Sequence, residues 1–162
     1  MERSEMEELL KRQKAFFWTG ATRPVAARKQ ALNKLLDTLE RRETELLDAL
    51  HADLGKSVPE GYMCEVGLVK SEIRYLLKHL NGYAKPKRVR TPLSQFAAKS
   101  FVQPVPYGSV LILSPWNYPI LLALEPLVDA IAAGNTAIVK PSAYAPRSAA
   151  VLEQVIAETF AP

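Results

Sequence analysis

The chain has 162 residues, 48% of them hydrophobic and 23% charged. That balance fits one globular domain of ordinary size and excludes a disordered polypeptide. Basic residues outnumber acidic ones only 21 to 17, a net charge of +4, which solvated helix faces account for. A single cysteine, Cys64, excludes an internal disulfide and with it an extracellular disulfide scaffold.

The opening residues, MERSEMEELLKRQ, are charged and lack the apolar core of a secretion signal. The longest apolar run, 110–124, is interrupted by Pro115, Asn117 and Pro119 and is too short for a helical membrane span. The expectation is a cytoplasmic protein with no membrane-spanning segment in these residues.

Three helices are predicted for the first half. Met6, Leu9, Leu10 and Phe17 recur at three- and four-residue spacings over residues 4–18, and Gly20 stops that helix. A second helix starts near Thr22, with Pro24 early, as a helix start tolerates. Leu32, Leu35, Leu36, Leu39, Leu46, Leu47 and Leu50 extend it to a stop at Gly55, with RRETE on its solvated face. The third runs over residues 59–80 on a stripe of Val66, Val69, Ile73, Leu76, Leu77 and Leu80, and Asn81-Gly82 ends it. Cys64 falls inside this helix and reads as structural. His51 and His79 lie near helix ends in no metal-ligand pattern.

Composition then shifts. Residues 84–99 hold Lys85, Lys87, Arg88, Arg90 and Lys99 with Pro86 and Pro92, which reads as an exposed connection or hairpin. Tyr83 and Phe96 could stack on bases, but so few rings among the charges favour a solvated loop. A strand follows over 100–106. Pro104 and Pro106 cannot donate to a ladder, so it must be short or at an edge.

The last third alternates: a buried strand at 110–114, a helix at 119–133, a Gly134-Asn135 turn, a buried strand at 136–140 and a helix at 146–160. That order implies parallel strands joined by a right-handed crossover. Ligands of such sheets bind beyond the strands' carboxyl ends, where two loops lie, 114–119 and 140–146. In the first, Asn117 offers a neutral amide N–H able to hold an oxyanion, or it caps the helix that starts at Pro119. In the second, Lys140 is a donor for ribose hydroxyls or a 2′-phosphate, or simply an exposed lysine at a strand end. The Gly-x-Gly-x-x-Gly phosphate loop is absent, since Gly108 and Gly134 precede their strands.

Five stretches closely resemble the aldehyde dehydrogenase superfamily, in particular its class 3-like members. They are TRPVAARKQALNKLLDTL at 22–39, HADLGKS at 51–57, PYGSVLILS at 106–114, PWNYP at 115–119 and EPLVDAIAAGNTAIVKPS at 125–142. The resemblance implies an α/β fold in which N-terminal helices precede the first half of a parallel-sheet, Rossmann-like cofactor domain, truncated. Its segments would be a helical part, 1–82; a basic connection with edge strands that serves oligomerisation, 83–107; and a partial NAD(P)-binding βαβα unit, 108–162.

By the same resemblance, Asn117 matches the asparagine whose amide holds the aldehyde-derived oxygen as the thiohemiacetal forms. Ser114, Pro115 and Trp116 match residues lining the cofactor, Lys140 the adenosine-ribose contact, and Ser142 a neighbour in the same cofactor loop. Tyr118 and Leu122 match the aldehyde entrance, where they would favour apolar aldehydes. Ala143 departs from the family, which often has a ribose-binding glutamate there, and this implies acceptance of NADP as well as NAD. The parent would be an NAD(P)-dependent enzyme oxidising aldehydes to carboxylic acids, a homo-oligomer, most simply a dimer, with no nucleic-acid partner. The family's nucleophilic cysteine, general-base glutamate and Gly-Ser-Thr segment would lie beyond position 162, and Cys64 does not match the nucleophile. These residues alone are therefore expected to be inactive. The alternative is a non-enzymatic oligomerisation module derived from the same family.

Overall fold

The computed structural model describes residues 2–160. The outer limits expected for the first and last segments, at positions 1 and 162, lie outside them. Helix α1 (Arg3–Trp18) ends on Thr19, whose hydroxyl donates to the Phe16 carbonyl, and on Gly20. Two helices, α2 (Val25–Arg41) and α3 (Glu43–Leu54), replace the single one expected from the leucine pattern. The chain breaks at Arg42 (φ −98°, ψ 15°). There Arg41 and Arg42 turn together onto Glu158, so the run read as a solvated face, exposed at Arg41, Thr44 and Glu45, is also a docking corner.

The third predicted helix is also composite. A short α4 (Val58–Gly61), capped by the Ser57 hydroxyl, leads through a π turn (Tyr62–Val66) into α5 (Gly67–Tyr83). The Gly67 amide reaches back to the Tyr62 carbonyl, the five-residue bond of a π turn. A Cβ at Gly67 would lie 2.8 Å from that oxygen, so only glycine fits. Cys64 sits on this turn, partly buried.

The basic segment forms a hairpin in which β1 (Lys87–Arg88) pairs antiparallel with β2 (Phe101–Val102), Lys87 opposite Val102. The strand expected over 100–106 shrinks to two residues because the prolines beyond it offer no donors. In the final third, β3 (Ser109–Leu113) and β4 (Thr136–Lys140) pair in parallel, Ser109 opposite Thr136 and Leu113 opposite Lys140. The crossover is α6 (Leu121–Ala133), and α7 (Pro146–Thr159) follows β4. Arg28 on α2 closes the far end of α6, its guanidinium donating to the Ala132 carbonyl at 3.1 Å. The same guanidinium lies 2.9 Å from where a Cβ on Gly134 (φ +89°) would stand.

One core joins these parts. Leu32, Leu35, Leu39, Leu46, Leu50, Val66, Val69 and Ile73 from the helices meet Ile120, Leu124 and Leu152 from the βαβα unit. Each such side chain contributes about 1.5–3 kcal/mol by leaving water. The strands are not buried on both faces as their composition suggested. Ile112 is covered, but Leu111 and Leu113 are 63% and 66% exposed; on that face α1 reaches only the start of the strands, where the Thr136 hydroxyl donates to the Gln13 carbonyl at 3.4 Å. The two-stranded sheet is covered along one side by α6 and only at its start by α1 on the other.

Candidate functional site

The parallel register brings the two predicted loops together. The Ser114 amide donates to the Lys140 carbonyl at 3.2 Å, so both loops leave the sheet side by side at the strands' carboxyl ends. In the first loop Pro115, Trp116, Asn117 and Tyr118 are exposed, whereas Pro119 is buried and anchors the start of α6. The Ser114 hydroxyl is buried with no hydrogen-bond partner among the described residues. Leu122 is part-buried in the first turn of α6. In the second loop the Lys140 ammonium is exposed and folds onto the Pro141 carbonyl at 3.1 Å, and the Ser142 hydroxyl accepts the Tyr144 amide at 3.2 Å. Ala143 is exposed beside them in sequence.

Asn117 does not cap α6. The helix begins at Leu121, two residues later than Pro119 suggested, and its cap comes from far away in sequence. Glu65 Oε2 accepts the Ile120 amide at 2.9 Å and the Leu121 amide at 3.1 Å. Two orphan donors and the positive end of the helix dipole meet one carboxylate there. Its other oxygen, Oε1, is 2.6 Å from the Lys56 ammonium, which also donates to the Asn117 backbone carbonyl at 3.1 Å. The same ammonium stands 4.0 Å from the centre of the Tyr118 ring.

Lys56 and Glu65 escaped the sequence reading, though each left a signal. Glu65 extends the apolar stripe of Val69 and Ile73 backward by one four-residue step, so a carboxylate occupied a core position. A charge placed there is paired or hydrogen-bonded when it survives. Lys56 lies in HADLGKS, one of the stretches that carried the resemblance.

A parallel βαβα unit with two polar loops gathered beyond its strand ends has the layout of a Rossmann-like α/β protein. The chain belongs to the aldehyde dehydrogenase family, whose model matches residues 1–162. It is 46% identical over 147 residues to 4,4'-diaponeurosporen-aldehyde dehydrogenase of Staphylococcus aureus, covering 91% of this chain and 32% of that protein. It is 40% identical over 151 residues to aldehyde dehydrogenase family 3 member A2 of Rattus norvegicus, covering 93% and 31%. The solved structure of the substrate-bound state of Staphylococcus aureus AldH superposes with a TM-score of 0.94 at 44% identity, over 96% of this chain and 34% of that one. The chain thus spans about a third of the length of the relatives it matches.

Proposed function

We propose that these residues supply an oxyanion-holding amide and one wall of the cofactor site to an NAD(P)-dependent aldehyde dehydrogenase that makes carboxylic acids through a cysteine thiohemiacetal. The observation that carries the reading is the side-by-side exit of the 114–119 and 140–146 loops beyond the strands' carboxyl ends. When bound, NAD or NADP supplies the hydride acceptor. The chain's residues suit that group: a buried hydroxyl at Ser114 with no hydrogen-bond partner among the described residues, and an exposed donor at Lys140 for the ribose. Pro115, Trp116 and Ser142 complete the wall. The Asn117 amide N–H donates to the aldehyde oxygen as it gains negative charge, a contribution that grows toward the transition state. Tyr118 and Leu122 border the aldehyde's approach and favour apolar substrates, in keeping with a relative named for 4,4'-diaponeurosporen-aldehyde.

The test is aldehyde-dependent reduction of NAD and NADP by the full-length gene product. Asn117→Ala should lower kcat by about 10²–10³-fold, the usual cost of removing one such donor. Unchanged turnover in that variant removes Asn117 from the reaction. The 162 residues alone should reduce neither cofactor, and activity from a mass-verified sample of them overturns this division of labour.

A second reading, a self-associating module, draws on the exposed apolar residues Phe101, Val102, Val105 and Tyr107 around the hairpin and on the open face at Leu111 and Leu113. Edge strands of this kind pair readily with a second chain. Sedimentation of the 162-residue chain should then show a dimer or larger species, and a stable monomer rules this reading out.

A further inference from the structure

Glu65 is 0% exposed, and the Lys56 side chain beside it is only 10% exposed. Their ion pair is therefore nearly dry. As a stabiliser such a pair is weak, because desolvation offsets most of the attraction. A neutral Ser, Thr or Asn close in sequence would cap α6 without burying two charges. What this pair does, and a neutral cap would not, is extend its hold into the neighbouring loop. The ammonium that neutralises Glu65 also holds the Asn117 carbonyl at 3.1 Å and packs on the Tyr118 ring. A carbonyl's direction fixes the plane of its peptide unit. Holding that plane restricts rotation about the bond that joins it to the Asn117 Cα, and so narrows the directions open to the side-chain amide.

We propose that Lys56 and Glu65 are positioning residues for the Asn117 amide. Glu65 locks the start of α6 and orients Lys56. Lys56 in turn fixes the Asn117 backbone from the side of the helical layer, leaving the exposed amide directed by the loop rather than free to sample it. The inference rests on Asn117 as the oxyanion donor. Donors of that kind work by preorganisation, and a displacement near 1 Å costs on the order of 10²-fold in rate.

The experiment is a kinetic double-mutant cycle in the full-length gene product, with Lys56→Met, Asn117→Ala and the two combined. Lys56→Met should lower kcat by about tenfold or more while KM for the cofactor stays within about twofold. In the Asn117→Ala background the same change should lower kcat by less than about twofold, because the group it aims is gone. If Lys56→Met folds poorly, Lys56→Met with Glu65→Gln replaces it. In that variant the side-chain amide oxygen introduced by Glu65→Gln still accepts the Ile120 and Leu121 amides, so the helix stays capped while Asn117 is untethered. The same loss of kcat and the same coupling to Asn117 are expected. Multiplying effects of positions 56 and 117, or wild-type kcat in the untethered variant, overturns the proposal. Failure of the Asn117 reading looks different: Asn117→Ala then retains wild-type kcat, and the positioning role falls with it.

Discussion

The Asp53 carboxylate accepts the Ser148 amide at 2.7 Å across 95 positions of sequence, and the Arg147 amide at 3.1 Å. Together with Glu65 on Ile120 and Leu121, this gives both helices of the βαβα unit a carboxylate cap from the N-terminal helices. Each cap satisfies two amides that have no partner within their helix and sits at the positive end of its dipole. The helical layer and the parallel unit are therefore interlocked at both helix starts.

From this follows a stability prediction for α7. Asp53→Ala should destabilise the protein by about 1–2 kcal/mol, the usual cost of an N-cap removed to alanine. Asp53→Asn should cost less, since the amide oxygen still accepts. Urea denaturation of the three proteins measures both. Equal stability of Asp53→Ala and wild type would mean that Pro146, already shaped for the first helical position, suffices to start α7.

At Gly67 the constraint is steric rather than electrostatic. The atom that an added Cβ would meet, at 2.8 Å, is the Tyr62 carbonyl oxygen, and backbone cannot swing aside as a flexible side-chain tip can. Gly67→Ala should cost about 1–3 kcal/mol, in the range of other forced overpacking. Gly82 is the control, because a Cβ there meets nothing within 4 Å. Alanine at 82, on an exposed helical position, should be neutral or slightly stabilising. A Gly67→Ala protein as stable as Gly82→Ala would show that the π turn relaxes to an ordinary helix at little cost.

What could be read from the sequence was set by range. Stripes such as Val69, Ile73, Leu76 and Leu80, and the strand–helix–strand alternation after Gly108, depend on neighbours a few residues away, and the structure has them. The break at Arg42 depends on Glu158, more than a hundred residues later, which no local period encodes. The capping rule for asparagine is local as well. It failed at Asn117 because a carboxylate 55 positions before Ile120 serves those amides. The exposure of Leu111 and Leu113 was equally hidden, since an apolar strand reads the same whether one face is covered or two. The two loops of the candidate site were legible because their place depends only on where parallel strands end.

Glu158 gives a pH prediction of defined sign. Its carboxylate accepts from Arg41 at 2.6 Å and from Arg42 at 2.6 Å, and these bonds, Arg41's first, hold its pKa below the ordinary glutamate value. The folded state therefore binds this proton less readily than the unfolded one. The resulting stability is present above the ordinary glutamate pKa and is lost as pH falls through the depressed folded value. Glu158→Gln should lower Tm at neutral pH, and the gap to wild type should close on acidification. The group lies at the surface, so added salt should narrow the gap too. A gap that is constant with pH would trace the effect to packing at the α2–α3 corner.

Cofactor choice offers a test at Ala143. On the reading of Lys140 as the ribose contact, the second loop presents one cation and, at 143, no carboxylate. A 2′-phosphate meets attraction there without opposition, which is the basis for proposing that NADP is accepted alongside NAD. Ala143→Glu adds an acceptor for ribose hydroxyls and a negative charge beside any 2′-phosphate. Ala143 is exposed, so the longer side chain needs no repacking. The variant should lose about tenfold or more in kcat/KM with NADP, while the value with NAD holds or rises, because a few ångströms between like charges near a surface suffice for that factor. Lys140→Met is the complement: it should weaken both cofactors through the ribose, and NADP more. If Ala143→Glu lowers kcat/KM equally for the two cofactors, the loop acts on neither ribose nor phosphate, and the ribose contact of the proposed wall must be drawn from other residues.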